Sequence, residues 1–346
     1  MAGNQRDRFY GLDALRGVAI LLVLLRHSWP ETFGGAGIVG VVVFFALSGY
    51  LITQLLMRDI DEFGRVRYGR FYRHRAFRLI PALVFMLAGF AVIEGVWNIL
   101  GDRVEIVRSV IVGMTYTMNI PGFGHGSDAL SHLWTLATEE QFYLVWPALL
   151  LLGMKRWGPR KTVAIATAGV LALCAATIWV AHAEVIKVYT LPTSWASAML
   201  IGAWARIEHE KLSQWFSAIS YSRVLAAVSA TALGALCFVP EPKSWPVTYL
   251  VGGPLIALCT VVLVFAFAGK SGPPPLAVKP LVGLGAISYA AYLWNYPISK
   301  WVENDWLVIV LTLVAAVVSW LLIERPAQNF RRHLEKRLAR KESVLF

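Results

Sequence analysis

The residues with chemistry to offer sit in apolar company. Asp13–Pro30 (DALRGVAILLVLLRHSWP) reads as a membrane-spanning helix, yet it carries Asp13, Arg16, Arg26 and His27. Ionisable groups in a span are costly unless they face a polar cavity or a partner, so they mark functional sites. Arg16 and His27 are eleven residues apart. At ~100° and ~1.5 Å per residue they share one face and stand roughly 16 Å apart along the axis. Asp13 and Arg16, at i and i+3, can pair. A second stretch, SHLWTLATEEQFYLVWP, puts Glu139, Glu140 and Gln141 inside an apolar helix. Two adjacent acids there are hard to explain as packing. A carboxylate and an imidazole at comparable depth can act as orienter and base, and neighbouring carboxylates repel, which favours partial protonation of at least one. A third, RFYRHRAFRLIP, offers Arg70, Arg73, Arg75 and Arg78 at the end of a span. Guanidinium forks bind phosphate through paired hydrogen bonds. Bland readings stand beside these: a headgroup-wetted helix end for His27, and a stop signal and lipid anchor for the arginines.

Positioning such residues is a task for membrane helices. The chain has 346 residues, of which 57% are hydrophobic and only 15% charged, less charge than a soluble domain carries. The formal net charge of +11 does not point to nucleic acid, because the basic residues cluster in short segments between apolar runs, the positive-inside pattern. Cys174, Cys237 and Cys259 lie in apolar runs and are spaced neither as a metal site nor as a disulfide framework. No cleavage pattern follows the first apolar run, so it is read as retained.

The expected fold is all-α, a polytopic bundle of about ten membrane helices with both termini cytoplasmic. Arg58–Arg78 is the strongest cytoplasmic marker; 154–161 and 269–280 follow it by their basic residues. Glu105–Ile120 has too short an apolar core for a comfortable span and is read as re-entrant or interfacial. On this topology Glu140 lies roughly 13 Å below the outer face, near the depth of His27. The tail RRHLEKRLARK reads as a basic amphipathic helix on the inner surface.

The segments GLDALRGVAILLVLLRHS, VVVFFALSGYLIT, RHRAFRLIPAL, SHLWTLATEEQFYLVWP, ISYAAYLWNYPI and ERPAQNF resemble, in order and over nearly the whole chain, the hallmarks of the acyltransferase-3 family of bacterial membrane O-acyltransferases. The resemblance implies that His27 is catalytic. It implies that Arg75 and Arg78, the match to an Arg-x-x-Arg motif, meet acyl-coenzyme A on the cytoplasmic side. Arg16, Ser48 with Gly49, and the pair Glu139 and Glu140 match further family motifs. Where the family commonly has a histidine in a YLWH-type motif, this chain has Asn295, which is therefore given no acid–base role. Many relatives carry a C-terminal hydrolase-like domain; this chain is read as a stand-alone form, a membrane domain over 1–330 and a basic cytoplasmic tail over 331–346.

The expected activity is transfer of an acyl group, most simply acetyl, from acetyl-CoA to a hydroxyl of a sugar on a glycan, glycolipid or related small molecule, at the bacterial inner membrane and without a metal. Arg75 and Arg78, with Arg73, would hold the donor phosphates; its arm would pass Arg16 and Ser48. His27 would act as base, with Glu140 or Glu139 fixing its tautomer, and a covalent acyl-histidine is an alternative. A glycan or lipid-intermediate transporter would also explain buried charge, but no internal symmetry of the kind many transporters show is visible.

Overall fold

A computed structural model describes residues 10–120, 126–182, 184–268 and 273–342. Among them the regular structure is helical throughout. In chain order the α-helices are α1 (Tyr10–Ser28), α2 (Ala36–Phe63), α3 (Tyr68–Trp97), α4 (Ile106–Met114), α5 (Trp134–Arg156), α6 (Pro159–Ala181), α7 (Pro192–Ile207), α8 (His209–Ala218), α9 (Ser222–Leu236), α10 (Gly253–Ala268), α11 (Lys279–Ala286), α12 (Ser288–Trp301), α13 (Asp305–Ser319) and α14 (Arg325–Glu342). A π-turn, Thr248–Gly252, leads into α10, and another, Trp320–Glu324, joins α13 to α14.

The expected ten spans are more than length and composition support. Among the described residues five helical stretches are long and apolar enough to cross a membrane, or seven if each of two bent pairs is one span. Those pairs are α8 with α9, bent by 110°, and the stretch through α11 with α12, bent by 68°. α1 falls short because it carries Asp13, Arg16 and Arg26, α5 because of its polar TEEQ run, and α7 because it is only 16 residues long. Polar groups inside the bundle dilute the very signal by which a span is recognised. Glu105–Ile120 begins with the nine-residue α4, about 13 Å long at ~1.5 Å per residue and too short to cross. Part of the connection expected over 269–280 lies outside the described residues.

α2 is the central element. Its most apolar window is 78% buried, against 11% for α6, which therefore turns its sides outward. α2 runs along α7 at very short range: a Cβ added at Gly49 would stand 1.8 Å from the Met199 carbonyl oxygen, and one at Gly202 would stand 2.0 Å from that of Ala46. Small residues facing each other let two membrane helices approach and gain dispersion contacts where no hydrophobic drive exists between them. Gly49 in the ALSGYLIT run thus owes its identity to packing. α1 meets α11 in the same way, through Gly17 and Gly285. A second apolar cluster gathers Ile52, Leu56, Phe71, Tyr143, Trp146 and Leu150 around one end of the bundle. There Trp146 Nε1 donates to Thr53 Oγ1 at 2.9 Å and fixes the rotation of α5 on α2.

Two further polar locks set the geometry. Buried Glu94 near the end of α3 accepts from Trp301 Nε1 at 2.7 Å and from the Leu100 amide at 3.2 Å. Gln141 on α5 exchanges hydrogen bonds with Asn119 at 2.8 and 3.0 Å and so anchors the chain that follows α4. The α2–α7 contact yields a prediction. Gly49→Leu forces the helices apart and lowers the thermal unfolding midpoint of the purified protein, overpacking costing typically ~1–3 kcal/mol. Gly69→Ala, with nothing within 4 Å of the added Cβ, leaves the midpoint unchanged or slightly raised. Equal midpoints for the two variants contradict the close approach.

Candidate active site

The polar residues of the bundle gather at two levels. The first is a cavity of about 270 Å³, whose walls include Arg16, Ser48, Arg75, Arg78, Glu139 and Tyr143. Helical spacing explains its arginines. Arg75 and Arg78 are one turn apart and face the same way, whereas Arg73, about 200° round the helix from Arg75, does not line the cavity. Arg73 therefore drops out of the expected donor set. The Arg75 guanidinium lies 3.4 Å from the centre of the Tyr143 ring and donates to Glu140 Oε1 at 2.5 Å. Ser48 Oγ donates to Glu139 Oε1 at 2.8 Å and contacts the Tyr143 hydroxyl. The Nε atoms of Arg16 and Arg75 are buried with no hydrogen-bond partner among the described residues, so both side chains retain donors for an incoming acceptor. Glu324, buried on the π-turn after α13, is close enough to Arg78 and Arg16 for their charges to act on it. π-Turns of this kind re-aim a side chain within a continuous helix.

The second level surrounds His27, one α1 face above Arg16. His27 is not among the cavity residues, and its Nδ1 lies 2.5 Å from Asn295 Oδ1. The amide's Nδ2 lies 3.4 Å from Thr312 Oγ1, with Oδ1 on the histidine side. In a neutral ring Nδ1 then carries the proton, and Nε2 keeps its lone pair. The Tyr296 ring is 4.8 Å from that of His27 and 5.4 Å from that of His132. His132 Nε2 donates to the Leu293 carbonyl at 3.2 Å, while its buried Nδ1 has no partner among the described residues. Lys300 holds Asp128 at 2.7 Å, and Lys243 sits 4.2 Å over the Tyr189 ring. Burial, with Arg26 nearby, pulls the Lys243 ammonium down to about 8.

The expected pairing of His27 with Glu140 or Glu139 is therefore replaced. Glu139 is engaged by Ser48 and Glu140 by Arg75, and the imidazole takes a neutral amide instead. Similar depth does not make two residues neighbours; the direction each faces around its helix decides. Asn295, Tyr143, His132 and Glu324 are the site residues that motif reading leaves without roles, although all four lie within the quoted segments.

The two levels are bridged. Thr135 and Tyr292 line the cavity and bond to each other at 2.5 Å, and the Tyr292 hydroxyl donates to the His132 carbonyl at 2.7 Å. Asn295 and Tyr296 follow Tyr292 by one turn of α12. Hydrogen bonds and one turn of α12 thus connect residues of the arginine-lined cavity to the imidazole that faces Asn295. The profile of the acyltransferase domain family, Acyl_transf_3, matches residues 9–325. This chain belongs to that family. Relatives include YrhL of Bacillus subtilis (strain 168), 30% identical over 95% of this chain and 56% of its own length. O-acetyltransferase OatA of Staphylococcus aureus (strain NCTC 8325 / PS 47) is 27% identical over 92% of this chain and 57% of itself. Peptidoglycan O-acetyltransferase OatA of Listeria monocytogenes (EGD-e) is 29% identical over 92% of this chain and 55% of itself. The chain thus spans little more than half the length of these relatives. No solved structure matches it.

The separate hydrogen bonds predict separate defects. Asn295→Ala frees the ring of His27 and lowers kcat about 10–100-fold, the usual effect of losing a ligand-orienting partner, with donor Kd unchanged. Glu140→Gln strips Arg75 of its carboxylate and shifts donor Kd and the unfolding midpoint. Steady-state kinetics beside calorimetry distinguish them. A Glu140→Gln variant slowed in kcat alone would restore the carboxylate–imidazole pairing.

Proposed function

We propose that this chain is a membrane O-acyltransferase that moves an acyl group, most simply acetyl, from acyl-CoA to a carbohydrate hydroxyl. The observation that carries this is the pairing of an arginine-lined cavity with an imidazole whose Nδ1 is held by Asn295. Arg75, Arg78 and Arg16 take the donor's phosphates, which guanidinium forks recognise. The thioester end of the donor's long arm passes Ser48, Thr135 and Tyr292 toward His27. At His27, Nε2 accepts the acceptor's hydroxyl proton as the oxygen attacks the thioester carbonyl. Collapse of the tetrahedral intermediate breaks the C–S bond, and the departing thiolate recovers that proton from the imidazolium. Asn295 keeps the tautomer correct throughout, the part an asparagine plays in Cys-His-Asn sites. The acids act at the other level: Glu140 holds Arg75 in place and Glu139 holds Ser48.

Names of relatives point to the acceptor class. The Listeria protein is a peptidoglycan O-acetyltransferase, so a sugar hydroxyl of a cell-envelope glycan is the acceptor proposed here. The proposed orientation has Arg58–Arg78 on the cytoplasmic side of the inner membrane, where acyl-CoA is available, and His27 toward the glycan side; the excess of basic residues in that segment supports it.

Radiolabelled acetyl-CoA and a glycan-chain fragment, given to the purified full chain, test the reading. The expected result is ester-linked label on the glycan, reduced ~10²–10⁴-fold in His27→Ala with coenzyme A binding retained. Near-normal turnover by His27→Ala removes His27 from the mechanism; absence of coenzyme A binding by the wild type removes the donor.

A further inference from the structure

The helix after the family domain supplies one more cation to the donor cavity. α14 was expected as a surface-lying tail separated from the membrane domain at residue 330. Instead it continues without a break from Arg325 to Glu342 and crosses that boundary. Its face is set by the π-turn. From Glu324, Arg331 is seven residues on and Glu335 eleven, which at ~100° per residue puts all three within about 20° of one line. This charged stripe faces protein. His74 Nε2 on α3 lies 2.5 Å from Glu335 Oε1, and the Phe330 and Phe77 rings meet at 5.9 Å beside it. Arg331 lines the same cavity as Arg16, Arg75 and Arg78. Its nearest carboxylate is Glu335 at 3.8 Å, which also stands against His74, and its buried Nε has no hydrogen-bond partner among the described residues.

A guanidinium held in a cavity wall, with a donor unpaired beside three further arginines, has the chemistry of a polyphosphate ligand. We propose that Arg331 is a donor-phosphate ligand, and that docking of α14 through the His74–Glu335 contact completes the donor site. The residue lies six positions beyond the matched family domain, 9–325. The proposal rests on the acyl-CoA reading above and adds to it a wall that the domain alone does not contain. It also gives the helix a reason to present charge inward, against the usual arrangement for a helix lying on a membrane.

Calorimetric titration of coenzyme A into the full chain in nanodiscs tests it, with Arg332→Gln as control: Arg332 is exposed, removes the same charge from the same helix, and lies off the cavity. Arg331→Gln should weaken coenzyme A about tenfold or more, as expected for a lost charge-assisted hydrogen bond, and Arg332→Gln less than about twofold, the general charge effect being screened. Arg331→Lys, which keeps charge and helix but not the fork, should fall between. It decides the matter if Arg331→Gln fails to fold. Equal affinities for the Arg331 and Arg332 variants, or wild-type affinity in Arg331→Lys when Arg331→Gln is unfolded, overturn the role of Arg331 and leave the donor reading standing. A wild type that binds no coenzyme A overturns both.

Discussion

Keeping arginine charged inside an apolar bundle is the constraint on which this structure turns. A guanidinium removed from water loses far more hydration than a single contact returns, so each must be given acids, aromatic faces or a ligand. Arg75 receives all but the last: Glu140 at 2.5 Å and the Tyr143 ring at 3.4 Å. Through those contacts α3 is fixed against α5, and through Ser48 and Glu139 α5 is fixed against α2. The Gly49–Met199 approach then locks α2 to α7. The cluster that would bind the donor is thus also a junction of the bundle, and the unpartnered nitrogens of Arg16, Arg75 and Arg331 are what a bound polyanion would satisfy.

The separation of the two levels follows from one helix. Arg16 and His27 share an α1 face, so the proposed sites of phosphate recognition and proton transfer stand roughly 16 Å apart. A long donor with phosphates at one end and a thioester at the other matches that separation. The arrangement also divides the polar residues by task. Carboxylates accompany the arginines, while the imidazole is oriented by a neutral amide.

Much of this was legible in the sequence, for reasons that also explain what was not. Apolar runs with charged interruptions announce membrane helices, and helical spacing puts Arg75 with Arg78, whereas Arg73, expected beside them, does not line the cavity. The ten spans expected from the sequence include α1 and α5, whose polar residues dilute the apolar signature, so length and composition support only five to seven among the described residues. Partner choice was not legible. Glu140 and His27 come to similar depth on separate helices, but depth says nothing about which way each faces. Asn295, in a motif read as having lost its histidine, turns out to hold His27. Arg331 looked like one of many basic residues of a surface tail; only the docking of α14 on α3 distinguishes it from Arg332.

The central claim is that one donor molecule reaches from the arginines to His27. An electron cryomicroscopy structure of the full chain with a non-hydrolysable acyl-CoA thioether tests it most directly. The account predicts phosphate oxygens within hydrogen-bond distance of Arg75 and Arg78, and the acyl carbon beside Nε2 of His27. Density placing the acyl carbon at the arginine level, a full α1 span from His27, would contradict it.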